Sequence, residues 1–169
     1  MHIFLTGEIQ VGKSTLIKRF LETSGALADG YSTVWFPPGT RRSELHILPY
    51  GTAAEDNGGE KTRVAQFSGD SITVFDEVFN TVGAGLLKSA GRCDYIVLDE
   101  LGFMESRAEA FQQAVFELLG GEVPVIGVIK PRSTPFLDSI RAHPRTALYE
   151  VSPDNRDEAL RQMLLHSGY

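Results

Sequence analysis

A short, mostly apolar run, His2–Thr6 (HIFLT), opens the chain and stops at a glycine. Beyond Lys13 the apolar positions change period. Leu16, Ile17, Phe20 and Leu21 fall at i, i+1, i+4 and i+5, one face of a 3.6-residue turn. The pattern predicts a strand, a loop and a helix in that order. From Tyr31 to Phe75 the texture becomes strand-like. YSTVWF, ELHILPY, TRVAQF and SITVF are short β-branched and aromatic segments, set apart by Pro37-Pro38-Gly39, Gly51 and a polar stretch over 55–60. Connections this short join antiparallel strands, so hairpins or a meander are expected over about residues 31–75. The polar segment 53–61 (AAEDNGGEK) is the expected mobile tip.

Helical period returns over 76–90 with Val78, Phe79, Val82, Leu86 and Leu87, although Gly83 and Gly85 weaken a helix there. YIVL at 95–98 reads as a fully buried parallel strand. A helix over about 106–119 follows, with Phe111, Val115, Phe116 and Leu119 on one face. Strands at 123–129 and 147–151 alternate with helices near 135–142 and 156–166. Alternating strand and helix at both ends predicts an α/β fold with parallel core strands, the antiparallel section at about 31–75 being inserted or at an edge. No repeat or linker interrupts it, and residues 1–169 read as a single domain.

A chain of 169 residues can bury a sizeable core without staples. Its net charge of −6 disfavours a nucleic-acid surface, which needs a basic stripe to displace counterions. The same charge leaves phosphate binding open, because oriented N–H groups and one lysine hold an anion locally. Cys93 stands alone, which excludes a disulfide within the chain; a small buried side chain just before a strand is expected there. His2, His46, His143 and His166 lack metal-ligand spacing. No apolar run reaches the roughly 20 residues of a membrane span. The N-terminus lacks a basic region followed by a long apolar stretch, so a cytoplasmic protein is expected, with no membrane or nucleic-acid partner.

Candidate chemistry begins at GEIQVGKST, residues 7–15. Gly7 and Gly12 permit turns that a Cβ would block, so the amides of Glu8, Ile9, Gln10, Val11, Gly12, Lys13, Ser14 and Thr15 can converge on a phosphate. The helix that follows aims its positive N-terminal end at the same anion. In this pattern Lys13 reaches the β- and γ-phosphates, and the Ser14 hydroxyl ligates Mg²⁺. Thr15 is an α-phosphate contact by position. A nucleoside triphosphate is therefore the expected ligand.

The second feature is YIVLDELG, residues 95–102. It places Asp99 at the carboxyl end of a core strand, where ligands sit in open α/β sheets and where a carboxylate helps hold Mg²⁺. Glu100 follows and can orient or deprotonate an attacking water. Cationic candidates for the transferring phosphoryl group are Lys130 and Arg132, just past the 123–129 strand, ahead of Arg41 and Arg42. Trp35 can stack on a base or simply half-fill a strand position.

Together GEIQVGKSTL, ADGYST, DYIVLDELGFME and SPDNRDEAL resemble the family of small P-loop nucleoside triphosphatases that includes thermophilic-bacterial and vertebrate "cancer-related" members, over most of the chain. At the third site the family reads Asp-Glu-Ile-Gly-Lys-Met-Glu. Asp99, Glu100, Gly102, Met104 and Glu105 match, while Phe103 stands where the lysine would be. The resemblance implies a RecA-like three-layer P-loop core and slow, Mg²⁺-dependent hydrolysis of nucleoside triphosphates to diphosphates with little base selectivity. It implies Glu100 as the catalytic base, and it aligns Asn155 and Arg156 with a late Asn-Arg pair, making Arg156 a candidate nucleotide contact. A nucleoside or nucleotide kinase is the alternative, although such enzymes carry an arginine-rich lid that the mid-chain section lacks. A GTP-dependent switch fits Asp99-Glu100-Leu101-Gly102 but lacks the guanine-reading Asn-Lys-x-Asp, since residues 155–158 read NRDE. A nucleotide-dependent partner protein is the remaining alternative.

Overall fold

The structure is a computed structural model and describes residues 1–39, 43–56 and 59–168. Eight strands form one sheet: β1 (His2–Thr6), β2 (Ala28–Phe36), β3 (Glu44–Pro49), β4 (Arg63–Ser68), β5 (Ser71–Val74), β6 (Tyr95–Leu101), β7 (Val125–Ile129) and β8 (Thr146–Glu150). Their spatial order is β5-β4-β3-β2-β6-β7-β1-β8. From β2 to β8 all pairings are parallel, and from β2 outward to β5 all are antiparallel. The expected antiparallel section is therefore present at one edge, with one refinement. β2 is shared, pairing antiparallel with β3 on one side and parallel with β6 on the other.

Helices α1 (Lys13–Ser24) and α6 (Arg156–Ser167) cover one face. The opposite face is covered by α2 (Asp76–Val78), α3 (Ala84–Lys88), α4 (Glu109–Gly120) and α5 (Pro135–Arg141). Period-2 alternation in the buried strands feeds the two cores. Ile3, Leu5, Tyr95, Val97, Ile126 and Val128 pack toward α1 and α6, while Phe4, Ile96, Leu98, Val125 and Ile129 pack the other way. This is the three-layer α/β arrangement expected from the sequence.

Several expected boundaries shift: the strand expected from Tyr31 starts at Ala28, and that expected at 123–129 starts at Val125. The 76–90 helix is broken by a π turn at Phe79–Gly83 that joins α2 to α3. Gly83 sits there because a Cβ would meet the Phe111 ring at 2.9 Å. The 106–119 helix starts as a 3₁₀ turn, Met104–Arg107, before α4. The 95–98 strand runs on to Leu101, with a bulge between Leu98 and Leu101 where three steps on β6 match two on β7. Cys93 is half-buried, less than expected, and packs against the core just ahead of β6. Arg41 and Arg42 lie outside the described residues, as do positions 57 and 58 of the expected mobile tip.

Candidate active site

Parallel strands end at one edge, so every loop leaving a carboxyl end converges there. The loop after β1 is the glycine loop, and the chain bends left-handed at Gly7 (φ 129°), Gln10 (φ 67°) and Gly12 (φ 87°). Only glycine fits at position 7, because a Cβ would meet the Val151 carbonyl oxygen at 2.3 Å. The loop is thus pressed against the segment after β8. Among the described residues, no backbone N–H from Glu8 through Thr15 donates to a protein acceptor. Leu16 N–H is the first to close a turn, onto the Gly12 carbonyl at 2.9 Å. Eight successive donors and a helix N-terminus therefore remain for a ligand.

Lys13 is buried, and its ammonium donates to the Gly7 carbonyl (2.9 Å) and to that of Glu8. Burial lowers its pKa, opposed by the carboxylates of Glu100 and Asp99. The next residue meets β6: Ser14 Oγ donates to Asp99 Oδ1 at 2.9 Å, across 85 residues of sequence. Burial pushes the Asp99 carboxyl up to about 6, opposed by the Ser14 hydroxyl and Lys13 and helped by the Glu100 charge.

The Asp99–Glu100 peptide is cis. It is clasped by Thr33 on β2, whose hydroxyl donates to the Asp99 carbonyl and accepts from the Glu100 N–H, both at 3.3 Å. Tyr31, fully buried two residues earlier, donates to the Glu100 carbonyl at 3.4 Å. The Glu100 carboxylate forms an ion pair with Lys130, just past β7, at 2.8 Å. Lys130 is itself held: its N–H donates to the Leu101 carbonyl, and its carbonyl accepts from Arg141 Nη2 at 2.6 Å. Glu105 lies beneath, buried, accepting the Gly102 N–H at 2.9 Å. Burial raises the Glu105 carboxyl to about 7.

The remaining candidates separate by position. Arg156 reaches the loop: a Cβ on Gly12 would lie 3.4 Å from its Nη1. Asn155 does not reach out, since its side chain accepts the Ser152 N–H and donates to the Glu150 carbonyl. Arg132 stacks at 4.7 Å over the ring of Phe103, the residue that stands in place of the family lysine. Trp35 packs on Phe67, with ring centroids 5.1 Å apart, on the core face away from α1. Glu8, Ile9 and Gln10 are exposed, while Val11 is buried under the loop. Sequence reading gave no role to Thr33, Tyr31 or Glu105. The available signal was the ADGYST text itself, whose alternate residues 31 and 33 share one side of a strand.

Among the described residues no cluster of three or more His, Cys, Asp or Glu side chains could hold a metal ion. Ser14 and Asp99 nevertheless offer a hard, two-oxygen corner, which suits Mg²⁺ held mainly by phosphates and water.

Comparison with known proteins gives a consistent outcome. A family model described as "NTPase" matches residues 2–164. A cancer-related nucleoside-triphosphatase homolog from Bos taurus is 31% identical over 186 residues, 98% of this chain and 95% of that one. Nucleoside-triphosphatase THEP1 from Thermotoga maritima is 29% identical over 172 residues, 97% of this chain and 94% of the relative. The crystal structure of THEP1 from the hyperthermophile Aquifex aeolicus superposes with a TM-score of 0.75 at 26% identity, covering 98% of both chains.

Proposed function

The chain belongs to the NTPase family, and on that premise we propose that it works as a Mg²⁺-dependent phosphohydrolase with little base selectivity. The reaction class follows from the family: the chain is an enzyme that hydrolyses nucleoside triphosphates. The observation that carries the finer reading is the Ser14–Asp99 contact, which joins the glycine loop to β6 at a single oxygen-lined corner. Those two residues would hold Mg²⁺, which when bound offsets charge on the β- and γ-phosphate oxygens.

The loop amides of residues 8–15 bind the phosphates, and Lys13 leaves its carbonyl partners for the β- and γ-oxygens. Glu100 accepts a proton from water as the water oxygen attacks the γ-phosphorus. Thr33 and Tyr31 fix the backbone that presents Glu100, and Lys130 holds its carboxylate and adds positive charge beside the reacting group. Arg156, against Gly12, serves the nucleotide from the β8 side. Low base selectivity is supported by Asn155, whose amide is engaged by the backbone and is not free to read a base. Arg132, stacked on Phe103, is the weaker candidate for a phosphate contact.

Phosphate release from ATP, GTP, CTP and UTP, each with Mg²⁺ and with excess chelator, tests this. Comparable rates on all four, abolished by chelator, are expected. Release that persists without a divalent ion rules out the metal reading, and release from one nucleotide alone rules out low selectivity. No described helix is long and apolar enough to cross a membrane. A cytoplasmic location is part of the same reading, in keeping with a single cysteine.

A further inference from the structure

A cleft of about 830 Å³ begins at Ser14 and Asp99 and runs between α1 and β2 toward the start of β2. Its size is that of a small-molecule site, roughly 300–1,000 Å³. It lies on the β2 flank of the glycine loop, whereas Arg156 leans on the loop from the β8 flank. A triphosphate whose sugar and base extend toward Arg156 therefore leaves this cleft open beside the Ser14–Asp99 corner.

The lining selects a ligand class. Leu21, Leu27, Val34 and the Tyr50 ring give apolar walls suited to a flat heterocycle. Four hydroxyls, on Thr15, Ser32, Tyr50 and Thr52, line it as well, and none makes a side-chain hydrogen bond among the described residues. Convergent hydroxyls with no protein partner are the polar groups that orient a bound molecule. The lining offers no unpaired cation for a phosphate monoester: no arginine lines the cleft, and the Lys18 ammonium is paired with Glu22 at 3.8 Å. A neutral nucleoside needs no such partner, whereas a nucleoside monophosphate does.

We propose that the cleft binds a neutral nucleoside, and that the γ-phosphoryl group passes to a hydroxyl of that nucleoside in competition with water. This rests on the placement of the triphosphate and on the role of Glu100 given above. The acceptor hydroxyl oxygen bonds to the γ-phosphorus and its proton goes to the Glu100 carboxylate. The bond from that phosphorus to the β–γ bridging oxygen breaks, and the nucleoside diphosphate leaves with the electron pair. One nucleoside monophosphate forms for each diphosphate so produced.

The test incubates the full chain with Mg²⁺, γ-labelled ATP and each of adenosine, guanosine, cytidine and uridine, then separates the labelled products. Labelled nucleoside monophosphate beside labelled inorganic phosphate is expected with at least one of the four. Val34→Trp, which places a large ring in the cleft, should cut transfer at least about tenfold and leave phosphate release within about twofold. Leu27→Trp repeats the test at an exposed position if the first variant fails to fold. Phosphate release with no labelled nucleoside in any of the four overturns the proposal and leaves hydrolysis standing. Transfer that both variants leave unchanged overturns the cleft as its site. Neither release nor transfer overturns the reading of the triphosphate site as well.

Discussion

The Lys130 ammonium lies 2.8 Å from Glu100 Oε1 and ties the residue after β7 to the end of β6. Both side chains are about one-third exposed, at 31% and 33%. A pair so wet contributes roughly 0–1 kcal/mol to stability, so its importance is chemical. Lys130→Met should melt close to the parent protein while phosphate release falls about 100-fold, the usual loss for one preorganised charge-stabilising donor. Diphosphate affinity should change little, since that ligand has no γ-phosphate. A large drop in melting temperature with unchanged turnover would instead make Lys130 a structural residue.

Glu100→Gln keeps the shape and removes the base. Triphosphate affinity should hold, and kcat should fall by roughly 10²–10⁴. Single-turnover kinetics with a parallel binding titration separates the two quantities. Hydrolysis at the native rate would remove Glu100 from the mechanism.

Lys13→Ala should weaken affinity and rate together, because the ammonium serves both ground and transition states. Competition by diphosphate, compared with triphosphate, reads the affinity loss. A variant with native affinity would show that Lys13 never leaves the Gly7 and Glu8 carbonyls.

Two buried groups set opposed pH dependences. His2 accepts the Val125 N–H at Nδ1 and donates from Nε2 to the Leu119 carbonyl; burial lowers its pKa to about 4 from 6.5. The unfolded chain takes up this proton first. His2 therefore contributes fully above about pH 6.5 and progressively less as pH falls toward 4. Glu105 runs the other way. Its pKa is raised by burial to about 7 from 4.5, so the folded state keeps its proton longer and stability falls as pH rises from 4.5 to 7. Urea midpoints across this range should rise on acidification from pH 7 to 4.5 in His2→Gln. In Glu105→Gln the rise should be nearly abolished, because Asp99, raised by burial to about 6 from 3.8, then only offsets the loss from His2. Parallel slopes in both variants would contradict the assignment.

Much of the architecture was legible because it depends on local periods. Ile3 and Leu5 against Phe4 state a strand buried on both faces, and Leu16, Ile17, Phe20 and Leu21 state one face of a helix. Asp76–Val78 through Ala84–Lys88 was harder to read. The π turn between them answers to Phe111, a residue of another helix that crowds Gly83. The parallel partner of β2 was hidden for the same reason, since pairing Ala28 with Tyr95 is a choice made across 67 residues.

The chain by itself determined the glycine loop, the identities of Lys13, Ser14, Asp99 and Glu100, and the order of strands and helices, because turn geometry and side-chain period are short-range. Only the tertiary structure decided what those groups face. Ser14 meets Asp99, Lys130 meets Glu100 and Thr33 clasps the peptide between the two acids because parallel pairing brings β1, β2, β6 and β7 to one edge. A hydrogen bond or ion pair depends on ångström-scale distance between residues far apart in the chain. Nothing in a local pattern carries that distance.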